Sequence, residues 1–245
     1  MTTDSLSIIS FKHRGFQLRS VLDEATAREL FDDLLDKSYE IEKVFKDSRA
    51  TYAAQLKIKK ESVVYKIPRA RLRRQWERIV TLFRDSESIR SLKNLQLMQE
   101  LGFRAPLPLL AGEKRRKGFV VDSFCCYRFI NAKVVEPDDA RLVIEELLAL
   151  HRKGYLRTDA KPANFLMNEK GVVFIDFRLK KPVLFPTFKK KIELARLVRG
   201  YPASLKFIPE SIRTSPSFTL AAWLERKNRE FKGTRRRMKR IFKSD

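Results

Sequence analysis

The chain has 245 residues, 43% apolar and 34% charged, which is enough for one sizeable core or two small lobes packed together. No stretch reaches the roughly 18 consecutive apolar residues of a membrane span, and the opening MTTDSLSIIS lacks the basic-then-apolar layout of a secretion signal, so a cytosolic location is expected. Lys and Arg number 53 against 30 Asp and Glu, a net +23 that is clustered and exceeds what solubility requires, so it points to a polyanionic partner: nucleic acid, anionic lipid headgroups or a phosphorylated substrate.

In chain order, ARELFDDLLDK (27–37) reads as a short amphipathic helix. SYEIEKVFKD (38–47), ATYAAQLKIKK (50–60) and ESVVYKI (61–67) read as three strands of a meander that ends at Lys66. A basic helix-like segment, RARLRRQWERIVTLF (69–83), follows. SESIRSLKNLQLMQELG (86–102) then sets Ile89, Leu92, Leu95 and Met98 at helical spacing with Gly102 as the cap. APLPLLAG (105–112) and KGFVVDSFCCYRFI (117–130) read as two more strands around a basic turn. Adjacent strand residues point to opposite faces, so Cys125 and Cys126 are expected as buried thiols in a reducing compartment. With His13 and His151 the only histidines, a zinc site is not expected. Helices and strands segregate up to this point, which predicts an α+β lobe rather than a doubly wound sheet.

From Pro137 the character changes. EPDDARLVIEELLALHRKG (136–154) has an acidic start and a basic, Gly-terminated end, and places Leu142, Ile144, Leu147, Leu148 and Leu150 on one broad helical face. NFLMN (164–168) and GVVFIDF (171–177) read as short strands across a polar turn, and the rest reads as helices.

The loop after that helix, LRTDAKPANFL, carries Asp159, Lys161 and Asn164, and a second acid, Asp176, stands 17 residues beyond Asp159. Phosphoryl transfer needs such a set. One acid accepts the proton of the acceptor hydroxyl, a second holds a magnesium ion on the nucleotide phosphates, an amide oxygen adds a metal ligand, and a lysine offsets charge on the moving phosphoryl group. Singly, the two acids are also common as turn and strand-end residues. His151 reads as a structural helix-end residue.

At these residues the chain resembles the protein-kinase-like superfamily. Asp159-Ala160-Lys161-Pro162-Ala163-Asn164 is similar to the catalytic-loop pattern D-x-K-P-x-N, Ile175-Asp176-Phe177 to the metal-binding D-F, and Val63-Val64-Tyr65-Lys66 to the third-strand V-A-I-K. The resemblance implies a two-lobed fold using ATP and Mg2+. Asp159 and Lys161 would be catalytic, Asn164 and Asp176 would hold the metal, and Lys66, Glu87, Ser48, Arg49, Tyr127 and Phe129 would bind nucleotide. Residues 1–126 would form the β-rich lobe, 127–132 the hinge, 133–225 the helical lobe and 226–245 a basic end. The sequence departs from the pattern in three places. KDSRATYAAQ (46–55) has no glycine where a phosphate loop should lie, Arg157-Thr158 replaces H-R or H-G, and Arg178 replaces the glycine after Asp176-Phe177, which disfavours a flipping activation segment.

The short region after Asp176, the stretch 86–132 and KKKIELARLVRG (189–200) resemble the bacterial lipopolysaccharide inner-core kinases, among them the core heptose(II) kinase (RfaY/WaaY) type. This implies ATP-dependent phosphorylation of a sugar hydroxyl, heptose ahead of 3-deoxy-manno-octulosonate, on lipid A-core oligosaccharide. RKNREFKGTRRRMKRIFKSD (226–245) holds ten Lys/Arg against Glu230 and Asp245, with Trp223, Phe231 and Phe242 alongside, and suits an anionic inner-leaflet surface. A peripheral monomer with no specific nucleic-acid partner is the expectation. A small kinase acting on RNA-linked, protein or other small-molecule substrates, and a non-catalytic kinase-like binding module, stand as alternatives.

Overall fold

The computed structural model describes residues 7–69, 82 and 84–241, with side chains to Phe231. Most of the basic segment 69–83, and Phe242, lie outside the described residues. The chain divides into two compact units, residues 1–131 and 132–245, and its class is α+β.

The first unit is a seven-stranded antiparallel sheet in the order β1-β2-β6-β7-β5-β4-β3. Its elements are β1 (Ile9–His13), β2 (Phe16–Ser20), α1 (Glu24–Leu35), β3 (Glu40–Asp47), β4 (Tyr52–Ile58), β5 (Glu61–Ile67), α2 (Glu87–Glu100), β6 (Pro108–Arg116) and β7 (Phe119–Arg128). Helix α1 is capped by Asp23, whose carboxylate accepts from Thr26 N at 3.0 Å. Its Ala27, Phe31 and Leu34, spaced four and three residues apart, are buried in a core with Leu18, Leu56, Phe124 and Cys126. Phe31 lies 5.2 Å from the Phe16 ring and 5.6 Å from that of Phe124. A second cluster joins Ile89 and Leu92 of α2 to Ala111, Cys125 and Tyr127. The two cysteines thus enter different clusters, as strand alternation requires. Burial pushes the Cys125 thiol up to about 12 and raises Cys126 as well, so both stay protonated and inert.

The β1–β2 hairpin was not anticipated. Its signal is Arg14-Gly15, both at positive φ (45° and 78°), flanked by alternating apolar residues, a tight-turn pattern that suits the twist of paired strands. The start of α2 is pinned from the sheet. Ser86 caps it, buried Glu113 of β6 accepts from Ser86 N at 2.8 Å and Arg115 Nε at 2.7 Å, and Asp85 receives both Arg19 terminal nitrogens and Lys93.

The second unit holds a three-stranded antiparallel sheet, β10-β9-β8, and is otherwise helical. It contains β8 (Lys133–Val134), α3 (Ala140–Arg152), β9 (Phe165–Asn168), β10 (Gly171–Phe174), α4 (Pro186–Gly200), α5 (Glu210–Arg213) and α6 (Pro216–Ile241). The buried face of α3 is Val143, Ile144, Leu147 and Leu150. Leu142, expected on that face, is instead 45% exposed, because at 100° per residue Val143 turns inward in its place. Gly154, at φ 87°, closes the helix in the left-handed conformation a C-terminal cap uses.

Candidate active site

The chemistry-bearing loop leaves α3 at Gly154 and ends in a 3₁₀ turn, Pro162–Asn164, before β9. At its centre is Arg157, fully buried. One terminal nitrogen donates to the Asp159 carbonyl at 2.6 Å. The other donates to the carbonyls of Ile175 at 2.8 Å and Asn164 at 3.4 Å, while the guanidinium lies 4.4 Å from the Phe165 ring centroid. A single planar cation therefore ties the Asp159 loop to the residue preceding Asp176. Burial pushes Arg157 down to about 10, opposed by the charges of Glu193, Asp159 and Asp176, so it remains a cation at neutral pH.

Around it the loop is fixed from two sides. Glu193, buried on α4, accepts from Arg157 N at 3.2 Å and Thr158 N at 2.5 Å, and its Oε2 lies 2.9 Å from His151 Nε2. Arg196, one helical turn on, donates to the Thr158 carbonyl at 3.0 Å. Thr158 needs this hold, since its φ of 74° is an outlier for a β-branched residue. Asp176 also sits in the left-handed region, at φ 47°. The segment after it is zipped to the loop by backbone bonds: Arg178 N to Arg157 O, and Leu156 and Lys180 bonded to each other in both directions.

Two side chains face outward from this frame, while Asn164 is buried. Asp159 and Lys161 are each about half exposed, with Lys161 Nζ 2.6 Å from Asp159 Oδ2. Asn164 spends its Nδ2 on the Asp159 carbonyl at 2.9 Å, which leaves Oδ1 as the atom suited to a hard cation. Among the described residues no three His, Cys, Asp or Glu cluster closely enough to hold a metal alone. A magnesium ion at Asn164 and Asp176 would complete its shell with phosphate oxygens and water, which fits that ion's habit.

In the first unit, Lys66 lies on β5 opposite Cys125 of β7, and its charge acts on that thiol. This sets Lys66 on the sheet face that carries α2, whose first residue is Glu87. Ser48 spends its hydroxyl on its own turn, donating to Thr51 O at 3.1 Å and accepting from Ala50 N and Thr51 N; Arg49 on that turn is exposed. Tyr127 packs against the α2 cluster, and Phe129 stacks on Phe45 with ring centroids 6.3 Å apart. No local motif singles out Glu193 or Arg196, and Arg157 stands out in the sequence only as a departure from the loop pattern. Glu193 is 36 residues from Arg157, so no local pattern signals that contact.

No protein-family model and no curated protein matches the chain. Among solved structures, the chain is similar to one described as WaaP in complex with acyl carrier protein, with TM-score 0.46 and 16% identity over 87% of this chain and 95% of that one. It is similar also to the Mycobacterium tuberculosis PknI kinase domain, with TM-score 0.43 and 13% identity over 75% of this chain and 86% of that one. Both overlaps are loose, and what the chain can do follows from the residues of the site.

Proposed function

We propose that the chain is a kinase that transfers the γ-phosphoryl group of ATP to a sugar hydroxyl, heptose in the lipopolysaccharide inner core, at the cytoplasmic face of the inner membrane. The observation that carries the reading is the Arg157 tie, by which one buried guanidinium holds the Asp159 loop, Asn164 and the backbone next to Asp176 together. Asp159 accepts the hydroxyl proton as the acceptor oxygen bonds to phosphorus and ADP leaves. Lys161, already beside it, screens the charge of the approaching phosphoryl group. Asn164 and Asp176 would hold Mg2+, which would supply positive charge against the phosphate oxygens. In the first unit, Lys66 and Glu87 would serve phosphate binding, with Arg49 on the turn that Ser48 shapes, and Tyr127 and Phe129 would serve the base. The acceptor's membrane-linked, anionic nature agrees with the net +23 and with the basic α6, where Trp223 and Phe231 are 46% and 69% exposed.

The test is transfer of radiolabelled γ-phosphate to purified lipid A-core lacking core phosphate, with RNA and bulk protein as rival acceptors under matched salt. Label on a heptose located by mass spectrometry is the expected result. Label confined to RNA or protein overturns the acceptor assignment, and absence of transfer together with absence of ATP-Mg2+ thermal stabilisation overturns the kinase reading.

A further inference from the structure

Residues 177–192, just past the second acid, contain six Lys or Arg and no Asp or Glu. At their centre Val183, Leu184 and Phe185 are 88%, 66% and 76% exposed, three consecutive apolar side chains open to solvent. Exposed Lys180 and Lys181 precede them, and Lys189, exposed, and Lys190, half-buried, follow. Lys191 is different in kind, committed to the hydroxyls of Ser215 and Ser217.

The backbone adds an independent observation. Phe185 is left-handed (φ 50°, ψ 52°), caps α4 and precedes Pro186. Left-handed geometry penalises any side chain beyond glycine, and a following proline disfavours helical backbone, so this position favours Gly or Asn over Phe. The ring gains little packing in return. The base of the loop is nonetheless fixed, by the Leu156–Lys180 bridge on one side and the Lys189 N to Phe185 O bond on the other.

We propose that residues 180–189 form an interfacial membrane anchor, in which Val183, Leu184 and Phe185 enter the acyl-chain boundary of an anionic bilayer while the flanking lysines meet lipid phosphates. Charge complementarity selects this occupant over a second copy of the chain, whose own +23 would repel the lysine collar. The proposal builds on the membrane-facing part of the reading above and gives that contact a location beside the chemistry. A groove of about 480 Å³, lined among others by Thr158, Lys180, Leu184 and Arg196, joins the anchor to the Asp159 loop. An acceptor whose lipid stays in the bilayer would then present its headgroup sugars at that groove.

The test uses the full chain with Leu184→Cys carrying a bimane label; Cys125 and Cys126, 2% and 0% exposed, escape labelling. On phosphatidylglycerol/phosphatidylethanolamine vesicles the emission should shift to the blue and be quenched by lipids brominated in their acyl chains, and on phosphatidylcholine vesicles it should do neither. The triple variant V183S/L184S/F185S should keep the wild-type melting temperature and lose at least about 10-fold in vesicle partitioning. Co-sedimentation with an unshifted label would assign the contact to α6 alone and overturn the proposal. Absence of vesicle binding would overturn it too, as would self-association that the serine variant abolishes. Phosphoryl transfer to soluble core oligosaccharide reads out separately, so loss of the anchor and loss of the kinase reading are distinguishable.

Discussion

At the scale of single residues, the site depends on Arg157. Its long, planar guanidinium reaches three carbonyls on two segments. Removing it takes charged donors from three carbonyls, of which Asp159 O keeps Asn164 Nδ2 and Asn164 O keeps Ile175 N, so the loss falls hardest on Ile175 O. Arg157→Met should cost roughly 3 kcal/mol of stability, with Arg157→Lys recovering only part because an ammonium cannot span the same fork. Chemical denaturation of the three proteins measures this. Asp159→Asn should act differently, lowering turnover by at least about 10²-fold while ATP-Mg2+ still raises the melting temperature. Unchanged turnover would remove Asp159 as the base. The spacing of Asp159, Lys161 and Asn164 along one loop is legible in the sequence because it is local. Their support is not, because Glu193 and Arg196 reach the loop only once α4 has packed.

At the scale of elements, two contacts govern how the helices and the sheet are held. Glu225 of α6, nearly buried, receives Arg196 at 2.5 Å and Arg199 at 2.7 Å from α4. Burial by itself would raise this carboxyl, but the bonds and charges of the two arginines outweigh it and hold it below the ordinary value of 4.5. A folded value below the unfolded one means the pair's stabilisation is complete above the ordinary range and is lost as pH falls through the lowered value. Glu225→Gln should therefore melt below wild type at pH 7, with the two curves converging as pH drops below 4.5. Because Arg196 also holds Thr158, the same variant should weaken turnover at neutral pH. In the first unit, a Cβ at Gly112 of β6 would sit 2.4 Å from the Phe124 ring and 2.7 Å from Leu18. Phe124 is hemmed in by Phe16, Phe31 and Tyr65, so Gly112→Ala should cost about 1–3 kcal/mol, read from the denaturation midpoint.

At the scale of the whole molecule, charge is the dominant property. Vesicle binding by a protein of net +23 should weaken steeply as salt rises from about 0.1 M to about 1 M, where the screening length shrinks from about 10 Å to about 3 Å. The residual binding at high salt reports the apolar insertion alone, and a binding curve indifferent to salt would exclude an electrostatic role. The sequence by itself determined the α+β class, the meander ending at Lys66, the helix before the polar loop and the burial of Cys125 and Cys126 on opposite sheet faces, because periodicity and turn chemistry act over a few residues. Tertiary structure alone decided that Arg157 joins the two acidic segments, that Glu193 and Arg196 hold Thr158 in a strained backbone, and that an apolar tip stands out from a lysine collar. Each of these depends on side chains tens of residues apart, or on which surfaces the rest of the chain leaves uncovered, and neither is encoded in local spacing.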